Sequence, residues 1–233
     1  MKKSKRYCSA QKLVEQNKTY SVKEAVECLK SFPHVKFDET VELSGKLGVD
    51  PEQSDQMVRG SVVLPNGTGK QVKILVFCDP EKEKEAQNAG ADYIGSEEIT
   101  DKILKEGWVG FDCCISTPSQ MKVVSKLGKF LGPRGLMPSP KTGTVTENIS
   151  YAIKEAKRGK IDFRMDKFAC IHVGVGKLSF GKEELSENIQ AFVNALLTAK
   201  PATLKGDYIK GLYLSSTMSP SIKIAVESDQ KQE

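Results

Sequence analysis

The chain has 233 residues, 39% of them hydrophobic, enough apolar material for one large packed domain or two of ordinary size. Its formal net charge of +5 is a moderate basic excess that favours a polyanionic partner without demanding one. No apolar run approaches membrane length and no apolar segment follows the basic start Met1–Arg6, so a soluble, unexported protein without a membrane partner is expected.

The charge is unevenly spread. Residues 1–30 carry eight basic and three acidic side chains, 79–107 carry four and nine, and 152–182 carry eight and three. One part of the molecule is therefore cationic and another anionic, the pattern of a protein that meets phosphate on selected surfaces. Cys8, Cys28, Cys78, Cys113, Cys114 and Cys170 form no Cys-x-x-Cys pair, and His34 and His172 are the only histidines. Free thiols in a reducing cytoplasm are expected, with no metal site and no cofactor.

In chain order, Ser21-Val-Lys-Glu24 is a capping-box pattern opening a helix to about Lys30, and Pro33 stops it. From Lys36 the period changes to two, with Phe37, Val41, Leu43, Leu47 and Val49 alternating with polar residues along a half-buried strand. Ser61–Leu64 reads as a second strand, ended by the glycine-rich connection Pro65–Gly69. A different rhythm follows: strands at Val72–Phe77, Asp92–Gly95 and Phe111–Ser116 alternate with helices at Glu81–Asn88, Glu97–Lys105, Ser119–Leu131 and Asn148–Lys157. Apolar strands alternating with helices argue a parallel sheet covered on both faces. The chain then reverts to short strands (Lys160–Arg164, Cys170–Val173), an amphipathic helix (Lys182–Lys200) and two closing strands (Tyr208–Ser215, Ser221–Val226). The expected fold is α/β and α+β in two domains. A discontinuous α+β domain, 1–67 plus 159–233, contains an inserted Rossmann-like α/β domain, 68–158, with Gly67, Gly69 and Gly159 in the hinge. The tail 227–233 reads as polar and unstructured.

Catalysis finds little support. There is no Ser-His-Asp order, and the adjacent acids Asp38/Glu39 and Glu97/Glu98 read as solvated pairs. A nucleotide-dependent enzyme built on the α/β segment is the alternative, but Phe77-Cys-Asp-Pro80 stands where a glycine fingerprint would follow the first strand. Gly128–Gly135 lacks the Gly-Lys-Ser/Thr ending of a phosphate loop and follows a helix rather than a strand.

RNA binding fits the residues better. Thr40, Glu42 and Ser44 lie on the outward face of the strand that Lys36 and Phe37 lead into. Hydroxyls and carboxylates there can bond 2′-OH groups and base edges. Glu42 either does so or pairs with Lys46 or Arg164, and Phe37 either stacks on RNA or joins Val41 in the core. Lys36, Arg164 and Lys167 would supply phosphate contacts. Ser215-Ser-Thr-Met-Ser-Pro220 puts three hydroxyls besides Ser215, a methionine and a proline into a strand connection, more polar chemistry than an ordinary turn needs. The stretch Ser125–Val145 carries Lys126, Lys129, Arg134 and Lys141 among four glycines and three prolines, with no acid between Cys113 and Thr146. It reads either as an anion-facing surface or as a loop of solvated lysines.

The run Leu131-Gly-Pro-Arg-Gly-Leu-Met-Pro-Ser-Pro-Lys-Thr-Gly-Thr-Val145 resembles the signature of the bacterial ribosomal protein L-one family. The segments Phe37–Glu42, Asp55–Gly60, Gly90–Tyr93, Phe163–Lys167 and Thr217–Ser221 fall in that family's order and spacing. The resemblance implies a structural protein of the large ribosomal subunit that is not an enzyme. Its partners would be the rRNA stalk beside the exit site, the exit-site tRNA whose release it assists, and its own operon mRNA, which it represses. It would be a monomer outside the ribosome, with no small-molecule substrate. The resemblance also implies an RNA surface of Lys36, Phe37, Thr40, Glu42, Lys46, Arg164, Lys167, Ser215, Thr217, Met218 and Ser219. Lys126, Lys129, Arg134 and Lys141 become a secondary RNA or tRNA surface. Two positions depart from the pattern: Ser219 stands where the family has glycine, and Ser139 where it has asparagine.

Overall fold

A computed structural model describes residues 4–15, 18–95, 97–204 and 206–225, leaving aside the side chains of residues 54, 97 and 141. The expected tail 227–233 lies outside the described residues. The chain divides into two compact units, Met1–Gly69 with Ile161–Glu233, and Lys70–Lys160.

In the first unit, helices α1 (Lys5–Lys12) and α2 (Val22–Lys30) precede strands β1 (Thr40–Leu47) and β2 (Arg59–Val63). The capping box forms as read: Glu24 N donates to Ser21 Oγ, and Ser21 N donates to Glu24 Oε2 at 3.1 Å. Helix α1 has no apolar stripe and was not foreseen; Ser4 Oγ caps it by accepting from Tyr7 N at 3.2 Å, and only Ala10 is buried. Strand β1 begins at Thr40 rather than at Lys36. Upstream of it, Asp38 accepts from the amide and hydroxyl of Ser179, and Glu39 O accepts from Leu178 N, so these residues are drawn off the ladder.

After the second unit the chain returns as β6 (Lys160–Arg164), β7 (Cys170–Lys177), α8 (Lys182–Thr198), β8 (Ile209–Ser216) and β9 (Ile222–Ile224). A four-stranded antiparallel sheet runs β7-β1-β8-β9, and β2 pairs with β6 separately. Strict alternation on β1 buries Val41, Leu43 and Leu47 against the stripe Leu185, Ile189, Phe192 and Leu196 of α8 and the buried face of α2. The other face of the sheet carries the polar residues.

One polar residue interrupts the α8 stripe. Asn188 is fully buried; its amide group donates to Gly67 O (2.9 Å) and Val175 O (2.8 Å), and its oxygen accepts from Asn66 N (3.1 Å). It pins the connection Pro65–Gly69 to the first unit. Gly69, at φ +70°, continues the same contact, since a Cβ there would meet Lys177 and the Phe180 ring at 2.9–3.0 Å. Changing Asn188→Ala strips the buried Val175 O and the less buried Gly67 O and Asn66 N of their partner, and is expected to destabilise this unit by about 1–3 kcal/mol in urea unfolding.

The second unit holds β3 (Ile74–Phe77), α3 (Glu83–Ala89), β4 (Tyr93–Ile94), α4 (Glu97–Glu106), β5 (Cys113–Ser116), α5 (Met121–Lys126), α6 (Gly128–Leu131) and α7 (Ile149–Lys157). Its sheet is parallel, in the order β4-β3-β5. Ile74, Val76 and Ile115 pack beneath Ala86 of α3 and Ile149 and Ile153 of α7. On the opposite face Leu75, Phe77 and Cys114 pack beneath Ile103, Val124, Leu127 and Leu131. Cys113 and Cys114 thus point to opposite faces, as adjacent strand residues must. The helix expected over Ser119–Leu131 is broken at Leu127, where Gly128, a poor helix former, opens a separate turn.

Candidate nucleic-acid interface

The antiparallel register brings several predicted site residues to one end of the polar sheet face. Glu42 stands opposite Ser215 on β8, and Val41 opposite Ser216. Just beyond, Thr40 N donates to Thr217 Oγ1 and Thr217 N donates to Thr40 O, both at 3.1 Å. Lys177 Nζ donates to Thr40 Oγ1 at 2.8 Å. Thr40, Glu42, Ser215, Thr217, Met218 and Ser219 therefore form one patch. The Glu42 side chain has no hydrogen bond or ion pair among the described residues, so of its two readings the pairing with Lys46 or Arg164 does not form.

Phe37 is 54% exposed and Met218 51% exposed. The open question of whether Phe37 joins the core is answered by the residues around it: with Asp38 tied to Ser179, the ring lies on the surface beside exposed Lys36. Ser219, where glycine was expected, is not at positive φ, since Ala169 is the one non-glycine residue there among those described. Its hydroxyl accepts from Ser216 N (2.8 Å) and donates to Pro220 O (3.0 Å), fastening the turn from within.

Glu39 overturns an expectation. Read as solvated, it is only 3% exposed. Its Oε2 accepts from Ser216 Oγ at 2.6 Å and from Met218 N at 3.0 Å. Arg6 of α1 lies 3.7 Å from Oε1 and donates to Met218 O at 3.4 Å. The backbone of Met218 is thus held on its N–H side by a buried carboxylate and on its carbonyl side by a guanidinium. The signal for this was in the alternation itself: with Val41 and Leu43 inward, position 39 is inward too. The pull of two adjacent acids toward solvent masked it.

The remaining predicted residues lie elsewhere. Lys46, at the far end of β1, pairs in register with Cys170, and its ammonium donates to Phe168 O. Lys167 is exposed in the β6–β7 turn. Arg164 belongs to the separate β2–β6 sheet and contacts Met57 Sδ at 3.9 Å. Between the two ends, His172 Nδ1 and Ser44 Oγ are 3.1 Å apart.

In the second unit, Lys126, Lys129 and Arg134 are exposed; the Lys141 side chain lies outside the described residues. The loop has its own lock: Ser139 N donates to Thr144 Oγ1 at 2.8 Å, and Thr142 and Thr144 share a 3.0 Å hydroxyl contact. Gly67, Gly69 and Gly159 have φ of 69°, 70° and 100°. At the carboxyl ends of β3 and β5, where α/β sheets take ligands, Asp79 accepts from Ser119 Oγ and Gln120 Nε2, both at 2.7 Å. These bonds hold its carboxyl below the usual carboxylate range. Among the described residues no group of three or more His, Cys, Asp or Glu is placed to hold a metal ion, and no helix is long and apolar enough to cross a membrane.

The model of the ribosomal protein L1p/L10e family matches residues 29–220. The chain belongs to that family. As a member of the L1 family it is a ribosome-associated large-subunit protein that binds rRNA, within a family of structural proteins rather than enzymes. The matched residues include every segment of the polar patch except Arg6, which reaches it from α1.

Proposed function

We propose that this L1-family protein binds large-subunit rRNA at the mobile stalk beside the exit site through the patch of Lys36, Phe37, Thr40, Glu42, Ser215, Thr217, Met218 and Ser219. Lys46, Arg164 and Lys167 add cationic contacts away from it, toward the far end of β1. The observation that carries the reading is the Met218 turn, an exposed apolar side chain whose backbone is fixed by Glu39 and Arg6. Pre-organisation of that kind removes the ordering cost of recognition, and RNA is read by shape, stacking and 2′-OH contacts that need such rigid groups. Glu42, unpaired and exposed, is free to accept from a 2′-OH or an exocyclic amine.

The two units act as domains, the second moving about the connections at Gly69 and Gly159. Because Asn188 holds the first connection through Gly67, its pivot lies at or after Gly69. Lys126, Lys129, Arg134 and Lys141 form a secondary surface toward rRNA or exit-site tRNA, whose release the protein assists. Bound to an rRNA-like site in its own operon mRNA, the same patch represses translation. The protein is a monomer outside the ribosome.

A salt titration against a stalk rRNA fragment, with an equal-length duplex as control, tests the reading. Binding to the fragment that persists at salt where the duplex has been released is the expected result. Equal, steeply salt-dependent loss of both RNAs means only phosphate is being read, and rules the proposal out.

A further inference from the structure

The most exposed large apolar side chain among the described residues is Phe168, at 74%. It sits in the β6–β7 turn, at the opposite end of β1 from the Met218 patch, about 20 Å away at ~3.3 Å per strand residue. No packing need puts it outside, yet its backbone is held by hydrogen bonds at both its N–H and its carbonyl. Asp166 Oδ1 accepts from Phe168 N (2.8 Å) and Cys170 N (2.7 Å), and Asp166 N donates to Cys170 O (2.8 Å). Lys46 Nζ and Cys170 Sγ both donate to Phe168 O. The next residue, Ala169, is 2% exposed and takes φ +55°, a conformation that L side chains rarely adopt. The turn accepts that strain to bury Ala169 and leave the ring outward.

The charges around the ring select its occupant. Lys46 and Lys167 flank it, and Arg164 lies on the strand that leads into the turn. The one acid of the turn, Asp166, has its Oδ1 occupied by two amides, which hold its carboxyl below the usual range with help from His172 and Lys46. A rigid exposed aromatic among cations is the arrangement on which unpaired bases stack. A protein neighbour would instead bury the ring among apolar groups, and the adjoining side chains are charged.

We propose that Phe168 stacks on an unpaired base or ribose of the bound RNA, a second contact point beyond the Met218 patch, with Lys46 and Lys167 neutralising the flanking phosphates. The inference rests on the rRNA-binding reading above. It is tested with the full chain and the stalk rRNA fragment, comparing wild type with Phe168→Ala, Phe168→Trp and Lys167→Ala. Phe168→Ala is expected to weaken binding about tenfold without changing its salt dependence, while Phe168→Trp restores it. Lys167→Ala is expected to lower the slope of log affinity against log salt by about one. An exposed ring contributes little to folding, so unfolding curves should coincide. Wild-type affinity in Phe168→Ala, with wild type still preferring the fragment over the duplex, overturns the stacking role alone. Loss of that preference in wild type removes the RNA reading and this inference with it. Unchanged fragment affinity with impaired incorporation into subunits would assign the ring to a protein neighbour and equally overturn it.

Discussion

Met218→Asp is expected to weaken binding to the stalk rRNA fragment by at least a hundredfold, about 2.7 kcal/mol, while leaving the unfolding transition in place. The side chain is half exposed and the turn is held by its backbone, so the substitution costs the fold little. It replaces an adaptable apolar contact with a negative charge where RNA presents phosphate and 2′-OH groups. Filter binding or fluorescence anisotropy at fixed salt measures the loss, and circular dichroism checks the fold. Thr217→Val is a less clean probe, because Thr217 Oγ1 also accepts from Thr40 N. An affinity within threefold of wild type for Met218→Asp would remove this turn from the binding surface.

Glu39→Ala is expected to act on both folding and binding. Removing the carboxylate leaves the buried Ser216 hydroxyl and the Met218 amide without acceptors, a loss of about 2–3 kcal/mol in urea unfolding. It also frees the Met218 turn, so affinity for RNA is expected to fall more than tenfold under conditions where the variant remains folded. Glu39→Gln keeps one acceptor and should lie between. Arg6→Ala separates the two effects: it removes the carbonyl-side clamp from an intermediate-exposure surface helix and should lower affinity with a smaller stability change. Wild-type RNA affinity in folded Glu39→Ala would mean that the turn needs no such support.

Period and punctuation were readable because they follow from backbone geometry. Alternation along Thr40–Leu47 placed Thr40, Glu42, Ser44 and Lys46 on one face, and that is where they stand. The glycine–proline run after Leu131 was legible as irregular chain. The misreadings share a cause, which is competition from long-range partners. Glu39 was judged by its charge, and a buried Ser216 hydroxyl 177 residues away changed its environment. Asn188 sits in the apolar stripe of α8 and could have been noticed as out of place, but its partners Asn66 and Gly67 are 121–122 residues distant. Phe168 belonged to no pattern; only the fixed turn makes its exposure informative.

What the sequence determined by itself was the order of local elements, the polar face of β1, the capping of α2 and, through its motifs, the L1-family membership. Each of these depends on neighbours a few residues apart or on residue identity at fixed spacing. Tertiary structure alone decided that Thr40 and Thr217 clasp each other, that Glu39 and Arg6 hold Met218, and that Lys46 braces the turn displaying Phe168. Those contacts join segments more than a hundred residues apart. Their hydrogen bonds exist only once antiparallel pairing of β1 with β7 and β8 has brought the two ends of the chain into register.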